Sequence, residues 1–95
     1  MSKQIKSLAT ITQELEESDD ARCTSYHRFE PNKTQVEVET AFSETSQNYR
    51  TVIHWPNGSK LVALAGGASV AAGQHRATCA VLLDNDWPAS LSNGI

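Results

Sequence analysis

A β-hairpin that carries apolar side chains on both faces is the sequence feature that most constrains this fold. Residues 49–65 read YRTVIHWPNGSKLVALA, and the turn at 56–58 separates two strand-like runs. Strict alternation along the second run places Leu61 and Leu64 on opposite faces. Strands that are apolar on both sides require shelter on both sides. One helix cannot provide it, so a second element or a second molecule must.

The remaining periodicities predict an α+β domain spanning residues 1–95. The predicted elements are a helix over 3–17, strands over 22–30, 34–42, 49–55 and 59–65, and a helix over 69–84. Short connections between the strands favour an antiparallel four-stranded meander with the N-terminal helix packed on one face. A fifth strand is the alternative for the last element, since ATCAVLL also fits a buried strand.

Capping residues set the predicted ends of the two helices. Ser2 is the candidate cap of the first helix, and the acidic run 16–20 ends it near Glu17 because negative charge opposes the dipole there. Its apolar stripe comprises Ile5, Leu8, Ile11 or Thr12, and Leu15. Ser69 is the candidate cap of the second helix, residues 85–88 are its stop, and the tail after them is expected to be irregular.

The first hairpin has an arguable register. Placing Phe29 opposite Val36 sets Arg28 opposite Glu37 on the outer face, a favourable cross-strand pair. This register turns Phe29 inward together with Cys23, Ser25 and His27.

Composition indicates a small cytoplasmic protein. The 95 residues, 39% hydrophobic and 20% charged, support one modest core. The N-terminus lacks the apolar run of a signal peptide, and no stretch approaches the roughly 20 apolar residues that span a bilayer. Two cysteines favour reduced thiols, with a Cys23–Cys79 bridge as the alternative. Eight basic against eleven acidic residues disfavour general binding to nucleic acid.

Two short motifs, Cys23–His27 and His75–Cys79, each hold one cysteine and one histidine. Zinc suits such ligands, but on a strand Cys23 and His27 lie about 13 Å apart and cannot share an ion. A thiol enzyme would need an oriented base and the pKa of Cys79 lowered by its neighbours His75 and Arg76, and the apolar flanks of Cys79 suggest burial instead. We therefore assign no metal, cofactor or catalytic residue.

A third pattern concerns one face of the sheet. Basic and aromatic residues there resemble the mixture on some RNA-binding sheets: Arg22, Tyr26, Arg28, Arg50 and His54. Glu37 and Glu39 fall on that same face and neutralise it. An ion-paired outer surface is the preferred interpretation.

These features favour a regulatory or accessory protein that binds protein, including a second copy of itself, over an enzyme. The predicted interface comprises Val52, His54, Val62 and Leu64. The alternative is a small-ligand binder or minor enzyme with a pocket between sheet and helix, lined by His27, Trp55, His75 and Cys79.

Overall fold

Two helices flank a four-stranded sheet in the computed structural model, which describes residues 5–29, 33–56 and 58–83. In chain order the elements are α1 (Leu8–Glu17), β1 (Arg22–Phe29), β2 (Thr34–Ser43), β3 (Asn48–Trp55), β4 (Gly58–Ala65) and α2 (Ala68–Leu83). The strands form one antiparallel sheet in the order β1-β2-β3-β4. The predicted α+β meander is confirmed, and the last element is a helix rather than a fifth strand.

Helix α1 begins later than its sequence predicts. The Ser7 hydroxyl accepts a hydrogen bond from the amide of Thr10 at 3.1 Å and caps the helix, so the predicted start at residue 3 is wrong. Ile5 precedes the helix and packs against the core from there. The predicted end at Glu17 is confirmed, and Ser18 closes the helix by donating to the carbonyl of Glu14.

The predicted register of the first hairpin is wrong by two residues. Val36 lies opposite His27 instead of Phe29, and Arg28 lies opposite Gln35 instead of Glu37. A shift of two residues keeps every side chain on its predicted face, because the period of a strand is two. The inward positions of Cys23, Ser25 and His27 are therefore confirmed by their burial.

A bulge interrupts the second hairpin and corrects the predicted faces of β4. Thr51 pairs with Ala63 but Val52 pairs with Leu61, so Val62 is the extra residue. Val62 packs against the core, whereas Leu61 and Leu64 are 51% and 49% exposed. The prediction that these two leucines lie on opposite faces is wrong. At the turn, Gly58 adopts φ +146°, a conformation open to glycine.

Both helices pack on the same side of the sheet, which we call the inner face. Helix α2 contacts all four strands, and α1 packs beside it over β1 and β2. Small residues of α2, Ala71 and Ala72, are fully buried beneath α1 and let the two helices approach closely. No element within the described ranges covers the opposite side, which we call the outer face.

Helix α2 starts at Ala68, with the amide of Ala71 bonded to the carbonyl of Gly67 at 3.0 Å, so the predicted cap at Ser69 is wrong. The predicted stop at 85–88, the irregular tail, the side chain of Phe29 and parts of the two tight turns lie outside the described residues.

Candidate functional site

A buried histidine lies at the centre of the inner face. His75 has no exposed surface, and both of its ring nitrogens are bonded. Nε2 lies 2.8 Å from the Ser25 hydroxyl, and Nδ1 lies 2.9 Å from the Thr40 hydroxyl. This series of hydrogen bonds continues from the Thr40 hydroxyl to the Thr51 hydroxyl, at 2.7 Å. Three strands and one helix are thus tied together by one polar chain.

This polar chain separates two apolar clusters, which share no buried member. One cluster comprises Val36, Val38, Ile53, Trp55, Cys79 and Leu82; the other comprises Ile11, Leu15, Cys23, Ala65, Ala71 and Ala72. Along α2, His75 lies between the alanines of one cluster and the cysteine and leucine of the other. Because hydroxyl hydrogens rotate, neutral His75 can be satisfied at both nitrogens without a charge in the core.

Burial lowers the pKa of His75 to about 4, and the positive charge of Lys6 adds to this effect. The histidine is therefore neutral at physiological pH and a weak base. Burial also lowers the pKa of His27, whose Nε2 finds no hydrogen-bond partner within the described ranges. Both histidines act in the fold as uncharged groups.

The Ser25–His75 distance matches that of a nucleophile and its base, but the surroundings do not support hydrolysis. In a catalytic triad a carboxylate stabilises the imidazolium that forms. Here Thr40 provides a neutral hydroxyl in that place. Ser25 is 7% exposed and His75 fully buried, so a substrate could reach them only by displacing α2.

A charged group reaches this region from the N-terminal segment. The Lys6 ammonium donates to the Glu14 carboxylate and to the carbonyl of Thr24, both at 2.9 Å, and lies 3.8 Å from the Cys23 sulfur. Burial alone would lower the pKa of Lys6, but the hydrogen bond and charge of Glu14 and the Cys23 sulfur outweigh it and raise that pKa. Lys6 thus anchors the segment before α1 to α1 and to the start of β1.

Neither cysteine has the properties of a reactive thiolate. Burial raises the pKa of Cys23 to about 12 and that of Cys79 to about 11. The sequence suggestion that Arg76 and His75 lower the pKa of Cys79 is therefore not met, since burial outweighs the charge of Arg76. The fold brings together one residue from each motif, with the Cys23 sulfur 3.8 Å from Nε2 of His75, and both thiols are free.

The four residues of the predicted pocket all lie on the inner face and all are buried. His27 and Trp55 are 7% exposed, and His75 and Cys79 have no exposed surface. Trp55 and Cys79 share one apolar cluster, while His75 belongs to the polar chain. Packing between the sheet and α2 explains the position of each.

The outer face is a regular array of side chains in cross-strand rows. One row runs Arg22, Ala41, Arg50, Leu64; the next runs Thr24, Glu39, Val52, Leu61; the third runs Tyr26, Glu37, His54, Ser59. The predicted placement of Glu37 and Glu39 beside the arginines on this face is confirmed. Acidic residues lie on β2, and leucines lie on β4.

Apolar groups concentrate at the two sides of the outer face. Leu61 and Leu64 on β4 are about half exposed, and Tyr26 on β1 is 63% exposed. Val52, between them, is half-buried. Of the four predicted interface residues, Val52, His54 and Leu64 lie on this face, and Val62 is turned to the core by the bulge.

Ionic and polar contacts connect the centre of the outer face. The Arg22 guanidinium contacts the Glu39 carboxylate, whose other oxygen lies 2.7 Å from Nε2 of His54. Nδ1 of His54 lies 2.6 Å from the Ser59 hydroxyl. Ser59 was not singled out from the sequence, and the signal for it is the pairing of β3 with β4, which places Ser59 opposite His54.

No family model, curated protein or solved structure matches this chain. None of the helices in the described ranges has the length and apolar character that crossing a bilayer requires.

Proposed function

We propose that the protein is a small cytoplasmic protein-binding module of the regulatory or accessory kind, and that it self-associates through the outer face of its sheet. The observation that carries this proposal is the placement of both helices on the inner face. The leucines of β4 are left half exposed on the other side, opposite an exposed tyrosine on β1. Exposed apolar groups on one continuous surface are typical of protein contacts.

The charge on this face favours another protein over nucleic acid. Three arginines point outward from the paired strands, namely Arg22, Arg28 and Arg50, against the two glutamates of β2. Arg22 is already paired with Glu39. A surface with so little net positive charge lacks the phosphate contacts on which nucleic-acid affinity depends.

A second copy fits the face by charge when the two-fold axis runs parallel to the strands. That axis stacks β2 of one copy on β3 of the other, so Glu37 faces His54, and Glu39 lies one cross-strand row from both Arg50 and His54. It also stacks β1 on β4 and brings Tyr26 near the leucines. An axis perpendicular to the strands would instead stack the two glutamate strands on each other, which like charge opposes.

The expected interface is small. Four strands about 4.8 Å apart, each about eight residues of about 3.3 Å, form a face of ~19 by ~26 Å. The area of that face, about 500 Å², is below the ~800 Å² that each partner buries in a standard interface. Association in the micromolar range is therefore expected, with a reversible monomer–dimer equilibrium.

Sedimentation equilibrium across the micromolar range tests this proposal. The chain of 10.4 kDa should approach twice its mass as concentration rises. The double variant Leu61→Gln/Leu64→Gln, which changes no charge, should stay monomeric.

The matched control is Leu8→Gln/Val70→Gln, which alters two helix residues that are 51% and 57% exposed. It should dimerise like the wild type. A strict monomer at every concentration contradicts the proposal, as does equal dimerisation of both double variants.

A further inference from the structure

We infer that Glu37, Glu39 and His54 form a divalent metal site on the outer face, with Zn²⁺ as the ion. The two carboxylates and the imidazole offer one ligand atom each, and these atoms lie within 4.8 Å of one another. They come from neighbouring strands, with Glu37 directly opposite His54 and Glu39 next to it on the same face. This site goes beyond the proposed self-association, because one chain supplies all three ligands.

The spacing fits an ion with modest side-chain movement. Bonds of about 2.0–2.2 Å from zinc to nitrogen and oxygen place ligand atoms roughly 3.0–3.5 Å apart. The Glu39 oxygen and His54 Nε2 are 2.7 Å apart, so this pair opens slightly, while Glu37 closes by rotating its flexible side chain. The backbone of the two central strands stays in place.

The imidazole is held from behind by a residue outside the ligand set. Nδ1 of His54 lies 2.6 Å from the Ser59 hydroxyl on β4. When Nδ1–H donates to that hydroxyl, the lone pair of Nε2 faces the two carboxylates. Histidine ligands of metals are commonly oriented through their second nitrogen in this way.

The mixed ligand set decides the class of ion. Calcium and magnesium prefer oxygen ligands throughout, whereas an imidazole favours zinc and its transition-metal neighbours. Two carboxylates balance the charge of a divalent ion. Positions left by the three protein ligands are open to water or to a partner's group.

The Arg22 guanidinium already contacts the site, and a second carboxylate, that of Asp20, lies near this guanidinium. Arg22 pairs with Glu39, but its Nε also lies 3.4 Å from the Asp20 carboxylate. Arg22 is half exposed, so losing its bond to Glu39 costs little. An arriving metal can therefore displace the guanidinium toward Asp20.

Titration of untagged protein with Zn²⁺ by calorimetry, and with Co²⁺ by absorption spectroscopy, tests the site. One equivalent should bind, and the cobalt spectrum should lack a thiolate charge-transfer band, which excludes the cysteines. Glu37→Gln and His54→Gln should each weaken binding at least about tenfold, whereas Ser59→Ala should weaken it by a smaller factor, because it removes only the hydrogen bond that orients the His54 ring.

Glu16→Gln is the control, since it removes an exposed carboxylate on α1 and should leave the affinity unchanged. Leu61→Gln/Leu64→Gln should also bind zinc normally, so a failure of self-association does not affect this result. Absence of binding in the wild type, or equal binding by Glu37→Gln and His54→Gln, overturns the metal site.

Discussion

The two faces of the sheet use polar residues in opposite ways. On the inner face, the polar groups around His75 are neutral, buried and bonded to one another across three strands and a helix. On the outer face they are charged and partly exposed, and their partners are other side chains of the same surface. The same four strands therefore carry a closed structural core on one side and an open surface on the other.

This difference separates stability from function. A buried neutral network must be satisfied internally because an unpaired buried polar group is costly, so its residues are fixed by the fold. Outer-face residues carry no such obligation. Their arrangement of carboxylates, histidine and half-exposed leucines is free to serve binding, and for that reason we place the candidate site there.

The largest expected effect is a difference in the free energy of unfolding between two variants, each of which truncates one residue on one face. Ile53→Ala on the inner face should lower the free energy of unfolding by about 2–5 kcal/mol, because Ile53 is fully buried in an apolar cluster. Leu61→Ala on the outer face should cost less than about 1 kcal/mol, since Leu61 is half exposed. Urea unfolding at a concentration that keeps the chain monomeric measures both.

The comparison between the faces fails if the two truncations cost the same. A large loss for Leu61→Ala in the monomer would mean that the outer face is sheltered within the chain. In that case the proposed self-association loses its surface.

A second, smaller effect is a loss of stability in mild acid. The pKa of His75 is lowered from 6.5 to about 4 by burial, so between these values the unfolded chain binds a proton that the folded chain does not. The contribution of neutral His75 to the free energy of unfolding is therefore fully present above pH 6.5 and is lost as the pH falls toward 4. The expected loss between pH 7 and pH 5 is about 2 kcal/mol.

Urea unfolding at several pH values tests this effect, with His75→Gln as the comparison. That variant should be less stable at neutral pH but should lose much of the pH dependence. His27, whose pKa is also lowered by burial, contributes in the same direction. Glu14 has a pKa lowered below 4.5 by its partners in spite of burial, so its contribution is lost at lower pH. If the free energy of unfolding of His75→Gln depended on pH as steeply as that of the wild type, His75 would not be the source of the acid sensitivity.

Local sequence signals predicted the elements of this fold well and their offsets poorly. The alternation in β2 and the turn at 56–58 specify strands and a hairpin through contacts between near neighbours. The predicted register of β1 against β2 differs from the observed one by two residues, because alternation determines only which face a residue occupies. The bulge at Val62 has no signal in the sequence, and it alone puts both leucines of β4 on one side.

The candidate site was predictable only in part for the same reason. The placement of Glu37, Glu39 and His54 on one face follows from the alternation of side chains along a strand. Their close approach does not, since it requires the register of β2 against β3 and the partner that Ser59 provides from β4. In the core, the alignment of Ser25, Thr40 and Thr51 with His75 depends on how α2 lies across the sheet.

The smallest expected effect compares one polar pair from each face by double-mutant cycles. The coupling between Arg22 and Glu39, measured with Arg22→Gln and Glu39→Gln, should be about 0.5 kcal/mol and should shrink as salt is added, since Arg22 is half exposed. The coupling between Thr40 and Thr51, measured with valine at each position, should be about 1 kcal/mol. It should not respond to salt, because both hydroxyls are neutral and buried. A salt-independent coupling on the outer face would mean that Arg22 and Glu39 are shielded from solvent, as they would be beneath a bound second copy, and repeating the cycle at lower protein concentration would then restore the salt dependence.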